Sequence, residues 1–284
     1  MNQSASSMAL AVLIVLIIPL TAKALQVKVI PANPKLGDTL WLMAQYDNQT
    51  ISATPQVLMG QQTFQTFLIG PNQFRALLPT TPLDKPGNLK LQVVGGGEKA
   101  EVTVKLGDRK FPTQSIWLSG KGSEGTDYEF DRVEAFKKLV TPEKFWRGKF
   151  LRPNQGPVTA GYGIRRYYNG VFAKDYFHRG VDYAGSHGSP VVSPAPGKVA
   201  LVGRVFQKFK LHGNTIGIDH GQGVTTIYLH LSRIDVKEGD WVEAGQVIGA
   251  IGATGAVTGP HLHWGFYVNG LSVDPAAWRD KGFE

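Results

Sequence analysis

The stretch His261-Leu262-His263-Trp264-Gly265-Phe266-Tyr267-Val268 reads as one β-strand with two unlike faces. Side chains alternate across a strand, so His261, His263, Gly265 and Tyr267 share one side and Leu262, Trp264, Phe266 and Val268 the other. The second set is apolar throughout and predicts a face packed on a core. The first is polar, has no bulk at Gly265, and predicts the floor of a cleft. Such a strand needs a sheet around it. Residues 198–202, 215–220, 224–231 and 247–251 supply further strands, and Gly221-Gln222-Gly223 predicts a tight hairpin between two of them. No helix is required in this part before residues 275–279. The expected fold is mainly β, with a C-terminal antiparallel sheet that carries a site on one face.

Two other segments hold chemistry-bearing residues: His178-Arg179-Gly180-Val181-Asp182 and Tyr228-Leu229-His230-Leu231. With His261 and His263 they provide four histidines and a carboxylate. A catalytic zinc takes three protein ligands and keeps one position for water. Three of the five groups therefore suffice for a metal, and two remain for proton transfer and support of developing charge. The chain has no cysteine, which excludes disulfides and thiolate metal sites and leaves histidine and carboxylate as the donors. His187, His212 and His220 stand alone in the sequence and read as structural or solvated.

Residues 1–24 contain an apolar run from Met8 to Leu20, too short for a comfortable membrane span, followed by Ala22-Lys23-Ala24. This pattern predicts a signal peptide cleaved after Ala24 and an exported protein, periplasmic or extracellular at the cell wall. An uncleaved leader would instead tie the chain to a membrane. From 25 to 106, short alternating runs at 26–30, 40–46, 64–69, 74–78, 89–94 and 100–106 are separated by turn material such as Gly70-Pro71-Asn72 and Gly95-Gly96-Gly97. They predict an N-terminal immunoglobulin-like β-sandwich without a catalytic set. Residues 107–150 read as a helical connector: apolar residues recur at three- and four-residue spacing between 127 and 140, with Thr126 or Asp127 as cap and Thr141-Pro142 as stop. Residues 151–284 form the remaining domain. The formal charge of +8 favours polyanions such as anionic cell-wall polymers, and no motif or basic helix points to nucleic acid.

Over residues 161–275 the sequence resembles the lysostaphin-type zinc peptidases, the M23 family of cell-wall endopeptidases. The phrases that carry the resemblance are Tyr162-Gly163-Ile164-Arg165, Phe177-His178-Arg179-Gly180-Val181-Asp182, Gly217-Ile218-Asp219-His220, Tyr228-Leu229-His230-Leu231 and Thr258-Gly259-Pro260-His261-Leu262-His263, in that order. The resemblance implies Zn²⁺ held by His178, Asp182 and His263. It implies His230 and His261 as catalytic histidines bracketing the water and the developing oxyanion, either one serving as base. The implied reaction is hydrolysis of peptide cross-bridges in peptidoglycan. Arg165 matches a family residue ahead of the first ligand and reads as structural. Gly265 departs from the pattern, since many relatives have glutamate there. Two alternatives compete. Val236–Gly249 and Ser193–Val199 also look like biotinyl or lipoyl carrier turns, but Met1, Met8, Met43 and Met59 all lie elsewhere, so no methionine flanks a modifiable lysine. A catalytically silent regulator of other wall hydrolases would have lost ligands, whereas all five positions are filled.

Overall fold

The computed structural model describes residues 25–47, 51, 53–117 and 124–283. The expected leader, 1–24, lies outside them. The N-terminal half is two antiparallel four-stranded sheets. One runs Leu25–Ile30, Thr39–Tyr46, Gln73–Pro79, Phe67–Gly70 in spatial order, and the other Gln62–Gln65, Gln56–Met59, Gly87–Gly95, Glu98–Leu106. Alternate residues point inward: Leu40, Leu42 and Ala44 from the first sheet meet Val57, Leu91 and Val93 from the second in a single apolar core. The run expected as one strand over 64–69 is two strands in different sheets. Buried Thr66 stands at the crossing, its hydroxyl donating to the Pro55 carbonyl at 2.6 Å. Periodicity cannot see such a crossing, because Phe64 and Phe67 each read as an inward residue of a strand and nothing local says that they face from different sheets.

Helix α1 (Asp127–Lys137) begins with a capping box. The Glu129 N–H donates to Thr126 Oγ1 at 3.2 Å, and the Thr126 N–H donates to the Glu129 carboxylate at 2.8 Å. The helix ends short of the expected residue 140. Pro142 disfavours a helical Thr141, and the Thr141 carbonyl is instead taken by the Gln222 N–H at 2.6 Å. The connector is not solely helical either. Its strand Thr113–Ile116 pairs in parallel with Arg165–Tyr168, an arrangement absent from the sequence expectation.

The C-terminal sheet is antiparallel throughout. Its main path is Val158–Ala160, Gly180–Ala184, His261–Val268, Val224–Ile234, Asn214–Gly221, Gly197–Gly203, Trp241–Val242. The expected hairpin is a two-residue turn, with Gln222 and Gly223 both at positive φ (48° and 77°), the geometry that suits twisted strands. Leu262, Trp264, Phe266 and Val268 are fully buried in one core with Val181, Tyr183 and Tyr228. On the opposite face Ile227, Leu229 and Tyr267 pack beneath Val133 and Phe136 of α1. The helix thus covers one end of the face that bears His261 and His263. Gly265 is packed tightly: a Cβ there would lie 2.8 Å from Ile227 Cγ2 and 3.1 Å from the Tyr267 ring.

Helix α2 (Ala276–Asp280) places Trp278 wholly inside the larger core, where its ring meets Phe266 at 4.9 Å and its Nε1–H donates to Thr39 Oγ1 of the N-terminal half at 3.0 Å. Asn269 Nδ2 donates to the Leu77 carbonyl at 2.7 Å, and Arg109 pairs with Asp274 at 2.6 Å. The two halves therefore share hydrogen bonds as well as apolar contact. Among the described residues, no helix is long and apolar enough to cross a membrane.

Candidate metal centre and its cleft

Register assembles the centre. Gly180–Ala184 pairs with His261–Val268 so that Asp182 stands opposite His263. His178 precedes that strand and is fixed by its backbone, its N–H donating to the Ile164 carbonyl at 2.8 Å and its carbonyl accepting from Gly163. The His178 Nε2 lies 3.1 Å from both Asp182 Oδ1 and His263 Nδ1, and His263 Nδ1 lies 2.9 Å from Asp182 Oδ1. His178 and Asp182 are buried. Gly180 makes the approach feasible, because a Cβ there would meet His263 Nε2 at 2.7 Å and the Trp264 carbonyl at 2.5 Å.

The donor set suits a divalent cation. His178 Nδ1 lies 2.8 Å from the Gly161 carbonyl, which can only accept, so Nδ1 carries the ring proton and Nε2 faces the cluster as a lone pair. A nitrogen lone pair, a carboxylate oxygen and a second imidazole nitrogen converge, and a shared cation satisfies all three. Burial by itself would raise the Asp182 pKa, but the His178 and His263 rings hold the carboxyl far below its ordinary range. Burial pushes the His263 pKa down, which favours the neutral ligand form. Among the described residues, His178, Asp182 and His263 form the one group of this kind that could hold a metal ion.

His230 and His261 flank the cluster, their rings 5.0 Å apart and the His230 ring 6.3 Å from that of His263. Both use the tautomer device seen at His178. His230 Nδ1 lies 3.0 Å from the Thr254 carbonyl and His261 Nδ1 lies 2.9 Å from the Gly259 carbonyl, so each turns Nε2 outward as an acceptor. His230 reaches the cleft irregularly. Strict alternation from Ile227 and Leu229 would send it into the core beside Tyr228. Instead the strand bulges: Ile216 pairs with Tyr228 and Asn214 with Leu231, two residues against three, and His230 takes φ 66°. A left-handed non-glycine residue costs about 1–2 kcal/mol, and His230 is kept there by bonds at both ends of the residue. Its N–H donates to the His212 carbonyl at 3.1 Å while its ring holds Thr254. Burial, with His263 and His261 nearby, lowers its pKa to about 3.

The sequence reading overlooked the support behind His230. The buried carboxylate of Glu129 accepts from the Leu211 N–H at 3.1 Å, the His212 N–H at 3.3 Å and the His212 ring at 3.1 Å. Burial tends to raise its pKa, but these bonds bring it below the ordinary value. Thr126 was one of two expected caps; that Glu129 closes a capping box with it, and also holds the loop that receives His230, was not foreseen. His212, read as structural, serves that loop. His220, read likewise, is buried beneath the other face, with Nδ1 2.8 Å from the Pro196 carbonyl and Nε2 2.9 Å from Thr226 Oγ1. Arg165 braces the segment before His178, its Nε donating to the Tyr176 carbonyl at 2.9 Å. All of the site groups open on a cleft of about 1310 Å³, whose walls include Thr81 and Leu83 of the N-terminal half and Gln114 and Ile116 of the connector.

This combination of an antiparallel sheet with a buried two-histidine, one-carboxylate cluster defines a metallopeptidase-like centre, and the comparisons give it a family. The sequence profile of Peptidase family M23 matches residues 176–275. The DD-carboxypeptidase/endopeptidase Mpg of Neisseria meningitidis serogroup B is 43% identical over 100 residues, 35% of this chain and 22% of that protein. The peptidoglycan DD-endopeptidase ShyA of Vibrio cholerae serotype O1 is 43% identical over 161 residues, 57% of this chain and 36% of that protein. The matches thus span about a fifth to a third of these curated relatives. A solved structure of a Pseudomonas aeruginosa peptidase M23 superposes with a TM-score of 0.65 at 27% identity, covering 88% of this chain and 96% of that one. Residues 176–275 of this chain are thus an M23 peptidase domain.

Proposed function

We propose that this protein is an exported zinc endopeptidase that hydrolyses peptide cross-links of bacterial peptidoglycan. The observation that carries the reading is the convergence of His178 Nε2, Asp182 Oδ1 and His263 Nδ1 within 3.1 Å of one another, flanked by two more cleft histidines. The relatives named peptidoglycan DD-endopeptidases support the substrate class.

His178, Asp182 and His263 would hold the ion. Bound there, Zn²⁺ supplies Lewis acidity that acidifies water and polarises a carbonyl oxygen. The protein's own groups do the rest. Nε2 of His230 or of His261 takes the proton from the attacking water, and the resulting N–H delivers it to the leaving amine. The other ring lies beside the oxygen that gains charge and would donate to it from Nε2 once that atom has taken a proton from solvent. Fixed Nδ1 contacts to Thr254 and Gly259 keep both rings from turning away. A silent regulator would need none of this, and the complete set of five side chains speaks against that reading.

Three finer points belong to the same proposal. Residues 1–24 are an export signal; 25–106, 107–150 and 151–284 are the sandwich, connector and peptidase units. Lettering the eight N-terminal strands in chain order gives A-B-E-D and C′-C-F-G, which supports an immunoglobulin-like sandwich. The test of function is zinc content of the purified chain, together with mass spectrometry of peptides released from walls of defined composition. One zinc per chain and new peptide ends are expected; a zinc-bearing chain that releases nothing from any wall would sink the assignment.

A further inference from the structure

Two guanidinium groups in the cleft form no salt bridge among the described residues, although the charge of Asp182 acts on Arg166 at longer range. Arg166, half-buried on strand Arg165–Tyr168, donates weakly to the hydroxyls of Tyr168 (3.4 Å) and Tyr176 (3.3 Å), and its Cζ lies 5.6 Å from the Tyr176 ring centroid. Its Nε is buried without a hydrogen-bond partner. Arg179, the residue after His178, places its Cζ 5.3 Å from the same ring and 5.2 Å from that of Phe177. Neither arginine forms an ion pair among the described residues. The acids that line the cleft are Glu134, which is paired with Lys137, and Asp182, which is engaged by His178 and His263.

Arg165 shows the contrast. Its guanidinium is committed to the backbone carbonyls of Tyr176 and Lys174, as a structural arginine's would be. Half-buried Arg166 and exposed Arg179 both lie against aromatic rings and keep donors uncommitted. Stacking orients a planar guanidinium so that its edge can meet a carboxylate with two parallel hydrogen bonds. The pair adjoins the metal cluster directly, since Arg179 is flanked by the ligand His178 and all of these residues line one cleft.

We propose that Arg166 and Arg179, stacked on Tyr176, bind a free carboxylate of the peptide substrate beside the scissile bond. The enzyme then prefers cross-links that carry an unblocked carboxyl group next to the cleaved bond over bridges of uncharged residues such as glycine. This deepens the peptidase reading and rests on it for the identity of the ligand, so its test measures binding rather than turnover.

Two N-acetylated tetrapeptides of glycine and D-alanine, identical except that one ends in a carboxylate and the other in a carboxamide, are titrated calorimetrically into the metal-free full chain. The carboxylate peptide is expected to bind at least about tenfold more tightly, the difference of about one charge-assisted contact. In Arg166→Gln/Arg179→Gln the ratio falls toward one. Should the double variant misfold, Arg179→Gln alone, at an exposed position, is expected to reduce the ratio severalfold. Equal binding by the parent chain, no binding of either peptide, or an undiminished ratio in the variants overturns the proposal. A chain that discriminates the two peptides yet cleaves no wall would instead remove the peptidase reading and leave the carboxylate subsite standing.

Discussion

Strands His261–Val268 and Val224–Ile234 lie side by side, and each delivers histidine to the same cleft by a different means. The first does so by plain alternation: His261 and His263 come to one face because Leu262 and Trp264 occupy the other. The second breaks its alternation at a bulge and turns His230 outward through a left-handed backbone. A ligand on a regular strand inherits the stiffness of the core beneath it. A residue on a bulge depends on the loops that pin it. With the roles proposed above, metal retention would rest mainly on the sheet, and turnover also on the segments around 209–213 and 254.

The largest effect tests the first strand. His178→Ala or His263→Ala is expected to lose both zinc and wall cleavage, measured as metal per chain after gel filtration and as peptide release. Next comes the bulge: His230→Ala should keep its zinc and lose about 10²–10⁴ in kcat, the usual worth of a positioned acid–base group. Equal zinc loss in the two variants would erase the distinction between the strands.

A third test uses a histidine of the same sheet that faces away from the cleft. Burial lowers the His220 pKa from 6.5 to about 4, so the folded state keeps it neutral. Above pH 6.5 neither state is protonated and the stabilising difference is complete. As the pH falls the unfolded chain takes the proton first, and stability drains away until pH 4, where the folded state titrates too. The loss is on the order of 3 kcal/mol, at about 1.4 kcal/mol per pKa unit. Urea unfolding at pH 7 and pH 4.5 should show this slope in the parent and a shallower one in His220→Asn; identical slopes would refute the assignment.

Glu129→Ala should cost about 1–3 kcal/mol by orphaning buried amide donors, and should lower kcat about tenfold with zinc content unchanged, by loosening the loop that receives His230. Glu129→Gln, which keeps an acceptor, should recover part of both. Loss of zinc in Glu129→Ala would show that the loop supports the ligands as well. The smallest change is Thr126→Ala, which removes one cap bond and is expected to cost about 1 kcal/mol in unfolding free energy with little effect on turnover.

What could be read from the sequence follows the same division. The strand with two faces, its pair His261 and His263, the hairpin at Gln222–Gly223 and the apolar faces of both halves were legible because period-two patterning and glycine placement are local signals, whereas grouping His178, Asp182 and His230 with them came from the resemblance. The bulge at His230 was not, since no residue near it announces positive φ. Nor was the split of 64–69 between two sheets, which depends on a crossing at Thr66. The parallel pairing of Thr113–Ile116 with Arg165–Tyr168 joins residues some fifty positions apart, and no short-range pattern encodes it. Arg179 stood inside a quoted motif and Arg166 one residue beyond another, but a guanidinium without a salt bridge becomes visible only when every acid nearby has been placed.

That parallel pairing has a mechanical consequence. Gln114 is matched to Arg166 and Ile116 to Tyr168, so the segment leaving the N-terminal half is zipped to the strand that carries the cleft's arginine. The sandwich cannot swing without either dragging that rim along or unzipping it. Force or a partner acting on the N-terminal sheets would reach the arginine rim along this strand pair, and the candidate ligand His178, bonded to the Ile164 carbonyl beside that strand, lies nearer the path than Asp182 and His263 on the larger sheet.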